Sequence, residues 1–148
     1  GELGEALPAP QCFPPNRPEL TSWSVGVEGA ALTLDRVHVR GWDQGVRLSG
    51  DASTVIIENG FVAHTGTGIA AEDGASLQAD QVSLVSNHDG IVLTEGAHAE
   101  LRRIFVEGAD PDGVHDDPRG QHRGALGICV ESSTANLEDT AITHTSAW

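Results

Sequence analysis

Residues 45–50 read GVRLSG, a glycine followed by a β-branched residue and then by a second apolar residue two positions later. Similar stretches begin at three more glycines and read GIAAED (68–73), GIVLTE (90–95) and GICVES (127–132). Because the side chains of a β-strand point alternately to opposite faces, Val46 and Leu48 are expected to share one buried face. The first three stretches recur at intervals of about 22 residues, which indicates an internal repeat.

Each repeat contains three short strands. When the repeats are aligned on their glycines, apolar residues fall at two alternating positions in each strand, and only Gly60 and Thr140 depart clearly from this pattern. A two-residue corner, which is 35–36 in the first repeat, separates the second strand from the third. Because a repeat this short cannot bury its apolar face alone, consecutive repeats must stack into a coil.

This pattern resembles the right-handed parallel β-helix of the pectin-lyase-like superfamily, from about Ser24 to Trp148. The resemblance implies an all-β solenoid of about five rungs. It implies no single activity, because that superfamily includes polysaccharide lyases, hydrolases and epimerases as well as tailspikes, adhesins and surface proteins without known chemistry. The alternative architecture is a β-sandwich, whose strands usually recur every 8–12 residues or so without a three-strand cycle.

The chain is expected to contain an arm, a coil and one insertion. Residues 1–21 form a Pro-rich extended arm, residues 22–148 form the β-helix domain, and residues 107–127 form a long loop within that domain. The density of proline excludes a helix in the arm. The arm is either a linker or a segment that runs along the coil, with Leu20 and Trp23 closing the first rung and Cys12 tied to Cys129.

Composition limits the classes of partner. The 148 residues include 22 acidic and 8 basic residues, and the net charge of −14 disfavours nucleic acid and anionic membrane surfaces. No apolar run approaches the roughly 20 residues that cross a bilayer, so we expect no membrane insertion. The lack of a charged-then-apolar leader and of an initiator Met suggests a processed protein or a fragment. The open ends of a short coil favour self-association.

The two cysteines, Cys12 and Cys129, allow at most one internal disulfide, and the alternative is two unrelated thiols. A disulfide is typical of an oxidising compartment. Together with the resemblance, this pairing predicts a secreted, periplasmic or cell-surface protein.

Function is expected on the outward positions of the strands, because the interior is filled. On the first strand these positions hold Gly26, Arg47, Ala70, Val92 and Cys129. The superfamily that the chain resembles commonly carries catalytic carboxylates, calcium ligands or a basic residue on this face. No carboxylate is present among these residues, so the face lacks the acid pair that glycoside hydrolysis needs. Arg47 is a candidate ligand-binding residue.

Further candidate residues lie at the edge between the third and first strands. The candidate ligand-binding residues there are His64, His88 and Asp89 in the turns, and His115 and His122 in the insertion. The candidate metal ligands are Asp110, Asp112, Asp116 and Asp117. His and Asp side chains bind metals and act as acids and bases. Ca²⁺ is the candidate cofactor, although DPDG is only a fragment of a calcium-loop pattern and is also typical of an ordinary turn.

We therefore predict a non-catalytic β-helix module of a secreted or cell-surface protein that serves recognition or assembly. Its expected partner is a polysaccharide or another protein. Phe61 and Phe105 on the third-strand face form an apolar stripe, which we expect to pack against the chain's own arm or against a second copy rather than against a sugar. The alternative is a carbohydrate-active enzyme (polysaccharide lyase, hydrolase or epimerase), or the core of one, with a groove that passes Arg47, His64 and His88.

Overall fold

The structure, a computed structural model, describes residues 25–108 and 126–143. All regular structure in these residues is β. The strands are β1 (Val25–Glu28), β2 (Ala31–Asp35), β3 (His38–Arg40), β4 (Gln44–Ser49), β5 (Thr54–Glu58), β6 (Phe61–Ala63), β7 (Thr67–Glu72), β8 (Ser76–Asn87), β9 (Asp89–Leu93), β10 (His98–Gly108), β11 (Leu126–Val130), β12 (Thr134–Glu138) and β13 (Ala141–Thr143). They form a parallel β-solenoid of about 4 turns, which confirms the predicted fold class. The arm and most of the insertion lie outside the described residues.

The strands stack into two parallel sheets. The first sheet contains the first strand of each repeat in the order β1-β4-β7-β9-β11, and the second contains the second strands in the order β12-β10-β8-β5-β2. The third strands extend the second sheet, where β3 pairs with β6, β6 with β8, and β13 with β10. In the first sheet Val46 pairs with Ile69, Ile69 with Ile91, and Ile91 with Ile128. The predicted stacking of the repeats is therefore confirmed.

The interior of the coil holds the predicted apolar ladders. Val46, Ile69 and Ile91 are at most 1 % exposed and belong to one hydrophobic cluster that runs through the stack. Burial of each such side chain contributes about 1.5–3 kcal/mol relative to exposure. Towards the end of the described chain, Val130 is only partly buried against the cluster. Leu137 is 52 % exposed, because no later rung of the described chain covers it.

A left-handed residue forms every corner between the second and third strands. The residues at this position have φ between 49° and 55°. They are Arg36, Asn59, Gln81, Arg103 and Asp139. This conformation is uncommon for residues that carry a Cβ atom. Because it recurs in the same place, each corner turns in the same way, and β8 and β10 each continue through it as one strand.

The glycine that opens each first strand is required by the close approach of neighbouring rungs. A Cβ atom on Gly45 would lie 2.6 Å from the carbonyl oxygen of Gly68 and 2.7 Å from Cγ1 of Val62. A Cβ atom on Gly68 would lie 2.6 Å from the carbonyl oxygen of Gly90 and 2.7 Å from Cδ2 of Leu84. Any side chain here would push the rungs apart or displace the core. This close approach explains why GVRLSG and its relatives begin with glycine.

We expect Gly68→Ala to lower the free energy of unfolding by about 3 kcal/mol, because the new methyl group overpacks both the next rung and the core. The matched control is Gly41→Ala. A Cβ atom on Gly41 meets nothing within 4 Å, and its φ of +82° limits the cost to the strain of a left-handed residue, about 1 kcal/mol. Urea denaturation monitored by circular dichroism measures both values. Equal losses in the two variants would contradict the close approach.

Candidate functional site

Arg47, the candidate cation of the first-strand face, is held by ion pairs that span three rungs. Its Nη2 and Nε donate to Oε1 of Glu72 on β7, at 2.9 and 3.3 Å. Its Nη1 lies 3.6 Å from Oε2 of Glu28 on β1. The Arg47 side chain is only 17 % exposed. These contacts link β1, β4 and β7 electrostatically. The guanidinium of Arg47 is thus paired with carboxylates of the protein itself.

We expect Arg47→Gln to lower the free energy of unfolding by about 1–3 kcal/mol, because two charge-assisted hydrogen bonds to the buried Glu72 are lost. Arg36→Gln is the matched control, since the Arg36 side chain is 82 % exposed and its pair with Asp35 contributes at most about 1 kcal/mol. Thermal and urea denaturation compare the two variants. An Arg47→Gln variant as stable as the control would mean that Arg47 is not a structural link.

The remaining outward positions of the first sheet do not form an open groove. Ala70 and Val92 were expected to be outward-facing, yet both are buried. Cys129, the next residue in this row, is disulfide-bonded. The chain contains one other cysteine, Cys12, which lies outside the described residues.

His88 and Asp89 lie together where the chain enters β9. Nδ1 of His88 is 3.2 Å from Oδ1 of Asp89, and both side chains are buried. A carboxylate at this distance fixes the orientation of the imidazole ring and favours a proton on Nδ1. His64 lies one rung earlier, is exposed, and has φ of 54°. Of the predicted edge residues, the structure pairs His88 with Asp89 and leaves His64 on the surface.

A buried polar row continues from Asp89 through the stack. Asp89 is the register partner of Thr67, and Thr67 is the partner of Gln44. All three residues are at most 2 % exposed. Within the described part of the chain, neither Oε1 nor Nε2 of Gln44 has a hydrogen-bond partner. A buried amide without partners is costly, so this row is a place where a bound water or small polar group would be stabilised.

Asn87, which precedes this pair, has a structural role. Its Oδ1 accepts hydrogen bonds from the backbone N–H and the hydroxyl of Thr65, at 3.0 and 2.7 Å. Its Nδ2 donates to the carbonyl oxygen of Val62 at 2.9 Å. These three bonds fix the turn between the third and first strands in two successive rungs. The Asn87 side chain is thereby occupied.

The outer face of the second sheet is open and contains a depression of about 340 Å³. One row along it is formed by Ile56, Gln78 and Glu100, which are consecutive register partners. A second row, at the corner, is formed by Glu58, Asp80 and Arg102. Ile57 and Ala79 complete the lining. No sequence motif marks this surface, because its residues come from three rungs about 22 positions apart.

Ion pairs and hydrogen bonds lower the pKa of two carboxyls of this face, those of Asp80 and Glu100. Arg103 donates to both oxygens of Asp80, at 2.8 and 2.7 Å, and lowers the pKa of that carboxyl. Asn136 donates to Oε1 of Glu100 at 2.7 Å, and this bond, supported by one to His98, lowers the pKa of Glu100. The face therefore presents fixed hydrogen-bond acceptors to solvent at neutral pH.

We expect Arg103→Gln to raise the pKa of Asp80 towards its usual value, because the principal cause of the lowered pKa is removed. A pKa lowered by folding stabilises the protein above the unfolded pKa, and that stabilisation is lost as the pH falls through the folded pKa. The wild type should therefore lose this contribution below about pH 4, and the variant should lack most of it, since only the smaller effects of Arg102 and the Gln81 backbone remain.

Carbon-detected NMR titration of the aspartate carboxyls measures this shift directly. Asp35 is the internal control, since Asn59 and Arg36 rather than Arg103 lower its pKa. The Asp35 titration should be unchanged in the variant. An unchanged Asp80 titration would show that Arg103 does not control that carboxyl.

The aromatic residues of the third strands lie in one column. Phe61 pairs with Ser83, and Ser83 pairs with Phe105. The ring of His38 lies 5.4 Å from that of Phe61, centroid to centroid, and Phe105 is 38 % exposed. The stripe is thus interrupted by Ser83, and Phe105 is its exposed member.

Several predicted residues lie outside the described part of the chain. They are Asp110, Asp112, His115, Asp116, Asp117 and His122 of the insertion, together with Cys12. Within residues 25–108 and 126–143, no group of three or more His, Cys, Asp and Glu side chains is placed to hold a metal ion. The same residues contain no helix that could cross a bilayer.

Comparisons of the chain with protein-family models, with curated proteins and with solved structures found no match.

Proposed function

We propose that this chain is a non-catalytic recognition module of the pectin-lyase-like type, which binds a polysaccharide along the outer face of its second sheet. The observation that carries the proposal is the depression of about 340 Å³ on that face. By contrast, the outward residues Ala70 and Val92 of the first sheet are buried, and Arg47 is ion-paired. The second sheet is therefore the better candidate for contact with a ligand.

The side chains of the depression suit a hydroxyl-rich ligand. Ile56 supplies a half-buried apolar surface for the non-polar face of a sugar ring. Gln78 both donates and accepts hydrogen bonds. Glu100 is an acceptor whose Oε1 already bonds Asn136, and Arg102 is a donor whose Nε lies 3.2 Å from Oε2 of Glu138; unlike Arg47, both side chains are exposed. A polymer that crosses the strands meets a new rung about every 4.8 Å, so its successive units would contact Ile56, Gln78 and Glu100 in turn.

The charge of this surface favours a neutral polysaccharide over a uronate polymer. Glu58, Asp80 and Glu100 all line the depression, and the whole chain carries −14. An anionic polymer would be repelled at low ionic strength. The alternative for a non-catalytic module is that the same face binds another protein.

We expect Gln78→Ala to weaken binding of a neutral polysaccharide by about 10-fold, the effect of losing one or two hydrogen bonds. Thr54→Ala is the matched control, because Thr54 is exposed on the same sheet but does not line the depression. Glycan-array screening followed by isothermal titration calorimetry measures both. Equal affinity of Gln78→Ala and wild type, or binding of uronate polymers alone, would overturn the proposal.

A carbohydrate-active enzyme is the second candidate, and the buried His88–Asp89 pair favours it. A His ring oriented by a carboxylate is a common general acid or base. Lyase and hydrolase assays on uronate and neutral polysaccharides, with and without Ca²⁺, test this candidate, and His88→Gln should abolish any activity that depends on the pair. If the wild type turns over a polysaccharide and the His88→Gln variant does not, the chain is an enzyme and the proposal of a non-catalytic module is wrong.

A secreted or cell-surface location is part of the proposal. The disulfide at Cys129 supports it, because structural disulfides persist in oxidising compartments.

A further inference from the structure

Two outward residues of the first sheet are covered, although they are not part of the interior core. Ala70 is 5 % exposed and Val92 is 1 % exposed. They are register partners on β7 and β9. On β9, Val92 alternates with Ile91 and Leu93, which belong to the interior cluster, whereas Val92 and Ala70 do not. Their burial therefore requires a layer on the outside of the coil.

The second sheet provides an internal comparison for this burial. Gln78 and Glu100 occupy outward positions in the same two turns of the coil as Ala70 and Val92, and both are exposed. Each of the four residues lies on an inner strand, which has a neighbouring strand of its own sheet on both sides. Flanking strands alone thus leave Gln78 and Glu100 exposed, which favours additional chain on the outer face of the first sheet as the cover of Ala70 and Val92.

Cys129 identifies which part of the chain this is. It continues the row of Ala70 and Val92, since it is the register partner of Val92. It is disulfide-bonded, and Cys12 is the only other cysteine in the sequence. Within one chain, Cys12 of the arm is therefore the partner that the sequence offers to Cys129.

The length of chain between Cys12 and Val25 fits a path along this face. Val25 lies on β1 and Cys129 on β11, the two outermost strands of the first sheet. Four strand spacings of about 4.8 Å separate them, which is about 19 Å. The 13 residues from Cys12 to Val25 (25 − 12) reach at most about 43–47 Å when extended. The segment is long enough to return along the stack, and the shortest route follows the outer face of the first sheet.

We infer that the outer face of the first sheet is the docking surface for the chain's own arm, with residues 12–24 packed across Val92 and Ala70. Proline suits this position, because an extended Pro-rich segment needs no strand partner for its backbone. The small apolar side chains of Ala70 and Val92 give it a shallow apolar surface. The inference is independent of the proposed function, which concerns the second sheet.

Site-specific photo-crosslinking in the full chain tests this inference. A diazirine-bearing aliphatic amino acid replaces Val92, and the same residue replaces Gln78 as a control in the exposed second sheet. After irradiation, mass spectrometry should find position 92 linked to residues 12–24, and position 78 quenched mainly by water. Links from position 92 to residues 109–125, links to an isotope-labelled second copy, or quenching by water would each overturn the inference.

A second measurement needs no variant and is unaffected by any loss of folding. Peptide mapping of the unmodified chain under non-reducing conditions should yield a fragment that joins the peptides of Cys12 and Cys129, and this fragment should disappear on reduction. A free thiol at Cys12, or a Cys129–Cys129 dimer, would overturn the inference. Polysaccharide binding by the second sheet should be the same in either case.

Discussion

The structure depends on one constraint: each strand must hydrogen-bond to the strand one repeat later, at the spacing of a parallel sheet. Gly45, Gly68 and Gly90 permit this approach, because the carbonyl oxygen of the next rung occupies the space where a Cβ atom would lie. Inside the coil, Val46 and Ile69 then stack on their counterparts in the following rungs. Backbone pairing and apolar burial thus impose the same period on the chain.

The same stacking produces two outer faces with different properties. On the first sheet the outward row runs from Arg47, which is paired with carboxylates of both neighbouring rungs, to the disulfide-bonded Cys129. On the second sheet, a depression is lined by exposed polar side chains such as Gln78 and Glu100 and by the half-buried Ile56. The first face therefore stabilises the coil, and the second carries the exposed polar groups, such as Gln78, on which the proposed recognition depends.

The fold was predictable from sequence because alternation along a strand and the length of a repeat are local properties. The apolar positions at Val46, Ile69 and Ile91 follow from that alternation alone. Alignment of the repeats also places Glu28 and Glu72 close to Arg47, so both are candidate partners from sequence. Alignment alone does not specify which carboxylate the flexible Arg47 side chain reaches.

The candidate sites were less predictable, for two physical reasons. The depression of the second sheet is formed by side chains such as Ile56, Gln78 and Glu100, which carry no motif and meet only after three rungs have stacked. The burial of Ala70 and Val92 was missed because periodicity assigns these residues to the outward face and carries no information on what covers that face. Gln44 was missed because buried amides leave no signal in an apolar pattern.

The most direct test of the account is the set of methyl–methyl nuclear Overhauser effects among Val46, Ile69 and Ile91 in methyl-labelled protein. A parallel stack places Ile69 between the other two, so cross-peaks should join it to both Val46 and Ile91. Their absence, or cross-strand Hα–Hα contacts typical of antiparallel pairing among β4, β7 and β9, would contradict the parallel winding on which both outer faces depend.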